Sequence, residues 1–478
     1  MRPFRIFLFF LLLFIFFSLL SLIFPGNRIV FCQPLEIKIP GVNTVFRKES
    51  HHYVNITPIL QSVGKQDSVV LKKGQDTVKG KPHELQQDKV VQSIEYPGND
   101  KSMLFPFFTS LSSIKETKQG FHVLHFGDSQ LEGDRITDYL RTRFQQEFGG
   151  SGPGLIPMSD EPFRMALHTT TSGSWRRYSG LGVVDKTLPK GIFGPLGSVF
   201  RYKTFAEDTL APTKQESCKI TFSLEGNKAG RNFSHMKLFY AHSRKPVFVE
   251  LSDETKVLRS DSLASGAAPG EFDYSFTQIP ASFTLQFTGT CSPDFYGVSL
   301  DSPEGIAFDN IPLRGSSGLE FTHMNRSALQ FILNSLNAKL LILEFGVNVL
   351  PNPAEDYTYY QNGFYNQLMY LKGLRPDLSI IVISVSDASV KNGADYQSFP
   401  NVEKIVAAQK AAALKAGCAF WNLYEAMGGK NSMPGWVFAN PPLATTDFIH
   451  FNYSGARIVG KMFYDALISD YNSYISRK

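Results

Sequence analysis

Two short stretches of this chain carry the residue types that nucleophilic catalysis needs. Gly127, Asp128 and Ser129 follow an apolar run, and Asp447 and His450 stand three residues apart ahead of the last helical pattern. A serine hydroxyl is a weak nucleophile near neutral pH; it needs a base, most often a histidine whose tautomer a carboxylate fixes. His450 is the only histidine after His323. At a spacing of three within a turn, Asp447 can hold both backbone and imidazole while the other ring nitrogen faces outward. Asn452 and Ser454 are better placed to cap the helix that follows, so the Asp-His pair is left for chemistry. Gly-Asp-Ser alone is ordinary turn chemistry, and the weight therefore rests on the whole constellation.

Acyl transfer also needs donors aimed at the oxyanion of a tetrahedral intermediate. Gly346, Val347 and Asn348 directly follow an apolar strand, which puts the Asn348 amide at a sheet edge. Upstream, Arg314, Gly315, Ser316, Ser317 and Gly318 form a glycine-rich turn whose backbone N–H groups can face the same place.

The elements that must position these residues alternate. Strands are expected over Phe121 to Phe126, Leu340 to Phe345, Ser379 to Val385 and Cys418 to Leu423. Helices are expected over Ile136 to Phe148, Asn325 to Leu336, Asp356 to Leu374, Val402 to Ala416 and Ser454 to Ile475, with a further helical pattern from Met103 to Ile114. Strands separated by helices imply a parallel sheet covered on both faces, and a serine at a strand's carboxyl end lies where such sheets bind ligands. Between about Met165 and Phe308 the period changes to two, as in Cys218, Ile220, Phe222, Leu224 and in Phe283, Leu285, Phe287. Such runs are antiparallel strands, most simply a β-sandwich inserted into the α/β domain.

These blocks, Gly-Asp-Ser, a glycine turn, Gly-x-Asn after a strand and Asp-x-x-His near the end, resemble those of the SGNH (GDSL-type) hydrolase superfamily. The resemblance covers about 120–164 and 308–475. It implies an α/β, three-layer flavodoxin-like domain with Ser129 as nucleophile, His450 as general base and acid, and Asp447 as its orienting partner. Ser129, Gly318 and Asn348 would form the oxyanion hole, with Gly315 as the alternative glycine. An insert between the serine block and the rest is similar in architecture to the bacterial peptidoglycan O-acetylesterases, whose insert resembles a carbohydrate-binding module. Trp175 and Tyr178, flanking Arg176 and Arg177, are then the candidate sugar-stacking residues.

The chain's 48 basic and 43 acidic residues are spread without a basic stripe, which argues against a nucleic-acid partner. Arg2 and Arg5 precede Ile6 to Phe24, nineteen residues broken only by Ser18 and Ser21; this length suits a transmembrane anchor with the rest of the chain exported. The expected organisation is an anchor at 6–24, a stalk at 25–102, hydrolase segments at 103–164 and 309–478, and the insert at 165–308. Cys218 and Cys291 lie in one β-rich segment and are equally compatible with a disulfide or with two buried thiols. The expected function is a serine esterase, membrane-anchored on the periplasmic side, that removes O-acetyl groups from a cell-envelope polysaccharide, most simply peptidoglycan, with no metal and no cofactor. The alternatives are an O-acetyltransferase using the same triad and a non-catalytic glycan-binding protein.

Overall fold

Five apolar strands pair in parallel in the computed structural model: β1 (Phe121–Gly127), β2 (Ile306–Pro312), β3 (Leu340–Glu344), β4 (Ser379–Ile383) and β5 (Ala419–Trp421). Their order in the sheet is β2-β1-β3-β4-β5. Helices α1 (Phe105–Thr117), α2 (Thr137–Phe148) and α6 (Tyr453–Ile475) bury their apolar stripes on one face, and α3 (Arg326–Ser335), α4 (Thr358–Leu374) and α5 (Val402–Lys415) on the other. The strand order reverses between β1 and β3. Chains leaving those two strands therefore turn away from each other, and the crevice between them is where open α/β sheets place ligands. Strand β2 is the one parallel strand that the alternation of apolar segments does not single out, because Ile306–Pro312 directly follows the two-residue period of the insert.

The structure describes residues 3–23, 28–32, 35–38, 53–63, 91–158, 167–182, 184–210, 213–223, 232–393 and 395–477. The N-terminal unit, taken by itself, is a helix over Pro3–Ile23 followed by an antiparallel pair, Arg28–Cys32 with Leu35–Lys38. Side chains of the helix are described at Phe4, at 6–16 and at Leu19, and all are exposed. Among the described residues no helix is long and apolar enough to cross a membrane. Phe24, the expected end of the anchor, lies outside the described residues, as do 64–90 of the expected stalk.

Two other pieces of that stalk are packed. Ile56, Val63, Ile94 and Tyr96 are buried in the layer of α1, α2 and α6. Glu95 exchanges backbone hydrogen bonds with Phe420 on the edge strand β5, and the Trp421 indole donates to the Gln92 carbonyl at 3.0 Å. Ile56, Ile59, Leu60 and Val63 recur at helical spacing, and Thr57–Ser62 is a helix, so this part of the expected stalk carries a period of its own; the segment at Glu95 has none and instead covers the open edge of β5.

The insert is a sandwich of two antiparallel sheets. One runs Val257–Leu263, Val247–Asp253, Ser282–Gly289, Glu216–Ser223, His168–Ser172; the other runs Gly270–Ser275, His235–Ala241, Asp294–Asp301, Ser198–Arg201, Arg176–Ser179. Gly154–Ile156 also pairs with Asp294–Asp301. The sandwich thus starts before the expected Met165, which lies outside the described residues, and the parallel sheet resumes at Ile306. Cys218 and Cys291 are buried free thiols; the Cys291 sulfur instead meets the backbone N–H of Lys245 at 3.3 Å, so no bridge forms.

A buried ionic cluster fastens the sandwich to the sheet. His122, on β1, meets Asp301 of the sandwich through Nε2 at 3.1 Å and Asp309 of β2 through Nδ1 at 2.9 Å. Burial alone would depress the His122 pKa, but Asp309 and Asp301 together lift it to about 10. The stability this pairing adds is complete below the ordinary histidine value near 6.5 and is lost as pH rises through about 10. Thermal midpoints measured across that window should therefore fall more steeply for the natural chain than for His122→Gln. Parallel curves would mean that His122 carries no charge here.

Candidate active site

The crevice between β1 and β3 is held open by two glycines. A Cβ at Gly127 would stand 2.8 Å from the Glu344 carbonyl oxygen. Gly346 has φ of +130°, and a Cβ there would meet the Val385 side chain at 2.7 Å. Glycine at 127 thus lets the serine turn lie against the end of β3, and glycine at 346 lets the asparagine turn lie against Val385 after β4. Between them lies Asp128, buried, whose carboxylate accepts the N–H of Gln130 at 3.1 Å and of Val347 at 3.3 Å. Burial pushes its carboxyl up to about 7 against the pull of those two hydrogen bonds.

Ser129 begins the turn after β1, and its Oγ is 2.7 Å from His450 Nε2. His450 Nδ1 is 2.6 Å from Asp447 Oδ2. The other oxygen, Oδ1, accepts the N–H of Ile449 at 2.9 Å, the N–H of His450 at 3.1 Å and the Thr445 hydroxyl at 2.6 Å. One carboxylate thus fixes both the loop backbone and the imidazole. Burial works to raise the Asp447 pKa, but the bonds from His450, Thr445 and the two amides outweigh it and hold the carboxyl well below the usual range. With Nδ1–H committed to Asp447, Nε2 is the ring atom able to take the serine proton. The final helix is capped by Asn452, which accepts from Gly455 at 3.0 Å, so capping does not account for Asp447 or His450.

The loop that carries this pair is strained and then braced. Phe448, between Asp447 and His450, has φ of 60°, a left-handed conformation that costs a non-glycine residue about 1 kcal/mol or more. Its buried ring lies parallel to Tyr396 and packs against Phe438, which offsets that strain.

Two side chains join this loop to the serine turn. The Gln130 amide donates to the carbonyl of Ile449 at 2.8 Å and to the Ser386 hydroxyl at 3.2 Å, while its oxygen accepts the N–H of Phe451 at 3.3 Å. It therefore grips the backbone on both sides of His450. Arg135 donates to the carbonyls of Ser129 at 2.5 Å, Glu132 at 2.7 Å and Phe451 at 2.9 Å. Neither residue is legible as functional from its type or spacing, because each acts through a distant backbone.

Asn348 donates one amide hydrogen to the Ser316 carbonyl at 2.9 Å. This bond fixes the side chain and leaves its second hydrogen available. The glycine turn follows β2 and is anchored by the Leu313 N–H on the Gly127 carbonyl at 2.7 Å. Gly318 does not fit the role expected of it: its N–H is spent on Ser316 Oγ at 2.9 Å, and a Cβ there would meet the rings of Phe345 and Phe364. Gly315 has open space where a Cβ would lie, and its N–H has no acceptor among the described residues. Trp175 is half-buried, with its ring against Tyr202, Phe287 and Phe295 and its N–H on the Lys219 carbonyl at 3.0 Å. Tyr178 packs on Phe205. No group of acidic, His or Cys side chains suited to a metal occurs among the described residues.

No family model and no curated protein matches the chain. Among solved structures it is similar to a peptidoglycan O-acetylesterase, with 21% identity over 77% of this chain and 96% of that one and a TM-score of 0.61. Two others overlay only loosely. One is a protein from Bacillus subtilis at 11% identity, covering 65% of this chain and 96% of that one with a TM-score of 0.29. The other is a family two carbohydrate esterase from Cellvibrio japonicus at 8% identity, covering 64% and 99% with a TM-score of 0.25. With a serine turn after β1, an asparagine turn after β3 and an Asp-His turn before its last helix, the chain shares the fold of that peptidoglycan O-acetylesterase, here a parallel α/β sheet interrupted by a β-sandwich.

Proposed function

We propose that this chain is a serine esterase that removes O-acetyl groups from a cell-envelope polysaccharide, with peptidoglycan as the first substrate to test. The observation that supports it most is the hydrogen-bonded line Ser129–His450–Asp447, whose two links of 2.7 and 2.6 Å lie at the mouth of the β1/β3 crevice. In this reading His450 Nε2 takes the Ser129 proton as Oγ attacks the acetyl carbonyl. Asp447 holds the imidazole in the required tautomer and stabilises its cationic form. The oxyanion rests on the Ser129 N–H, the second amide hydrogen of Asn348 and, in place of Gly318, the N–H of Gly315. His450 returns the proton to the departing sugar hydroxyl, and water activated by the same ring then releases acetate.

The peptidoglycan assignment draws on the similarity of fold to the esterase of that substrate and on a sandwich inserted beside the site. In this reading the apolar run from Ile6 to Phe24, preceded by Arg2 and Arg5, tethers the chain in a membrane with the hydrolase segments exported.

Replacing Ser129 or His450 by alanine should lower p-nitrophenyl acetate hydrolysis by roughly three decades or more with the unfolding transition unchanged; near-natural rates in either variant would remove the proposed mechanism. Acetate release from a panel of O-acetylated polymers identifies the substrate, and transfer of labelled acetyl to an added glycan instead of water would mark an acetyltransferase. Gln130→Met keeps the side chain's length but not its three hydrogen bonds. It should lower kcat by about tenfold to a hundredfold, since misplaced catalytic groups lose about that much, with KM little changed and fluorophosphonate labelling of Ser129 slowed in parallel. Unchanged labelling would show that the grip on the His450 loop is dispensable.

A further inference from the structure

Beneath the serine turn a row of polar side chains crosses the face of the sheet that α1, α2 and α6 cover. It runs from Glu344 at the end of β3, through His125 on β1 and Thr137 at the start of α2, to Asn310 on β2, which pairs in register with His125. His125, Thr137 and Glu344 are buried. Their neighbours on that face, Val123, Phe308 and Ile342, are apolar.

The hydrogens of this row can be assigned one by one, starting from a backbone group that only accepts. The Leu131 carbonyl, in the turn that begins at Ser129, takes a hydrogen of the Asn310 amide at 3.1 Å. Asn310 is thereby oriented, and its oxygen accepts the Thr137 hydroxyl at 2.7 Å. With its one hydrogen used, Thr137 Oγ1 can face His125 Nδ1 at 3.0 Å only as an acceptor, so Nδ1 carries a hydrogen. The other ring atom, Nε2, stands 3.2 Å from Glu344 Oε2. Two bare acceptors would repel each other at that distance, and one hydrogen therefore lies between them. From Nδ1 onward every donor points toward the serine turn, an arrangement in which successive bonds strengthen one another.

Stability gives little reason for such a row. Glu344 Oε1 is buried and meets no donor among the described residues, and a polar network left partly unsatisfied serves a core less well than apolar side chains of similar size. The place of the row supplies another reason. One end holds the turn that carries Ser129, and the other stands at the strand end that leads to Asn348. We propose that His125 and Glu344 are a positioning pair for Ser129: they hold one hydrogen between them and, through Thr137 and Asn310, fix the serine turn to the sheet. Gln130 and Arg135 tie that turn to the His450 loop, and the row is the hold from the opposite side. The effect on turnover rests on the esterase reading above; the hold on the turn does not.

Replacing the pair by apolar side chains of similar size, His125→Leu/Glu344→Met, tests this. The thermal midpoint should stay at or above that of the natural chain, as expected when a buried polar pair gives way to apolar packing. Yet kcat for p-nitrophenyl acetate should fall about tenfold or more with KM little changed, and amide exchange over Ser129–Asp134 should quicken about tenfold or more. Glu344→Gln, whose amide can donate to Nε2 without a charge, should stay close to the natural chain in both. Asn310→Leu cuts the row at its far end and leaves the pair intact; it should reproduce both losses, and it decides the matter if the double variant does not fold. In a chain that hydrolyses the ester, a natural rate or natural exchange in the double variant or in Asn310→Leu, or a Glu344→Gln variant as impaired as they are, would overturn the pair's role. A natural chain without ester activity, in which the apolar replacements still quicken exchange over the turn, would overturn the esterase reading and leave the hold on the turn standing.

Discussion

One short hydrogen bond, Ser129 Oγ to His450 Nε2, joins groups 321 residues apart in the chain, and much of the α/β unit can be understood as the means of keeping it short. Proton transfer depends steeply on such a distance, so a loop at each end is not enough; the loops must be fastened to each other. The sheet supplies the coarse placement, because β1 and β3 are neighbours whose following turns diverge. Asp128 ties the serine turn to the asparagine turn through Val347. Gln130 and Arg135 tie it to the His450 loop through the backbone at Ile449 and Phe451. The fine placement therefore comes from side chains that do not themselves face a substrate.

This division explains what could be read in advance. Ser129, Asp447 and His450 are legible because their relations to neighbours are local: a serine at a strand end, and an aspartate three residues before a histidine with better helix caps beyond it. The α/β alternation is legible because each buried strand and amphipathic helix carries its own period. Gln130, Arg135 and Asp128 are not legible in this way, since their meaning lies in backbone groups that the fold brings to them. The same holds for Gly318 against Gly315, where a single hydroxyl, that of Ser316, decides which N–H is spent. Trp175 is a similar case: its partners Tyr202, Phe287 and Phe295 come from distant strands, and the half-buried ring packs against all three.

Packing also redraws the boundaries of the domains. The segments around Ile56 and Ile94 lie in what composition marks as a stalk, yet both complete a hydrophobic layer, and Glu95 satisfies the open edge of β5. The insert is joined to the sheet by strand Gly154–Ile156 and by the His122 cluster. A sandwich pinned in this way differs from a module on a flexible linker, and whatever it binds is held in a fixed relation to the crevice.

In the proposed reaction Ser129 carries the acyl group, and rapid quenching tests this directly. The natural chain, mixed with an activated acetyl ester and quenched in acid before steady state, should gain the mass of one acetyl group, and the modified peptide should place it on Ser129. An acetyl group on any other residue, or ester turnover with no covalent intermediate in a chain whose deacylation has been slowed, would contradict it.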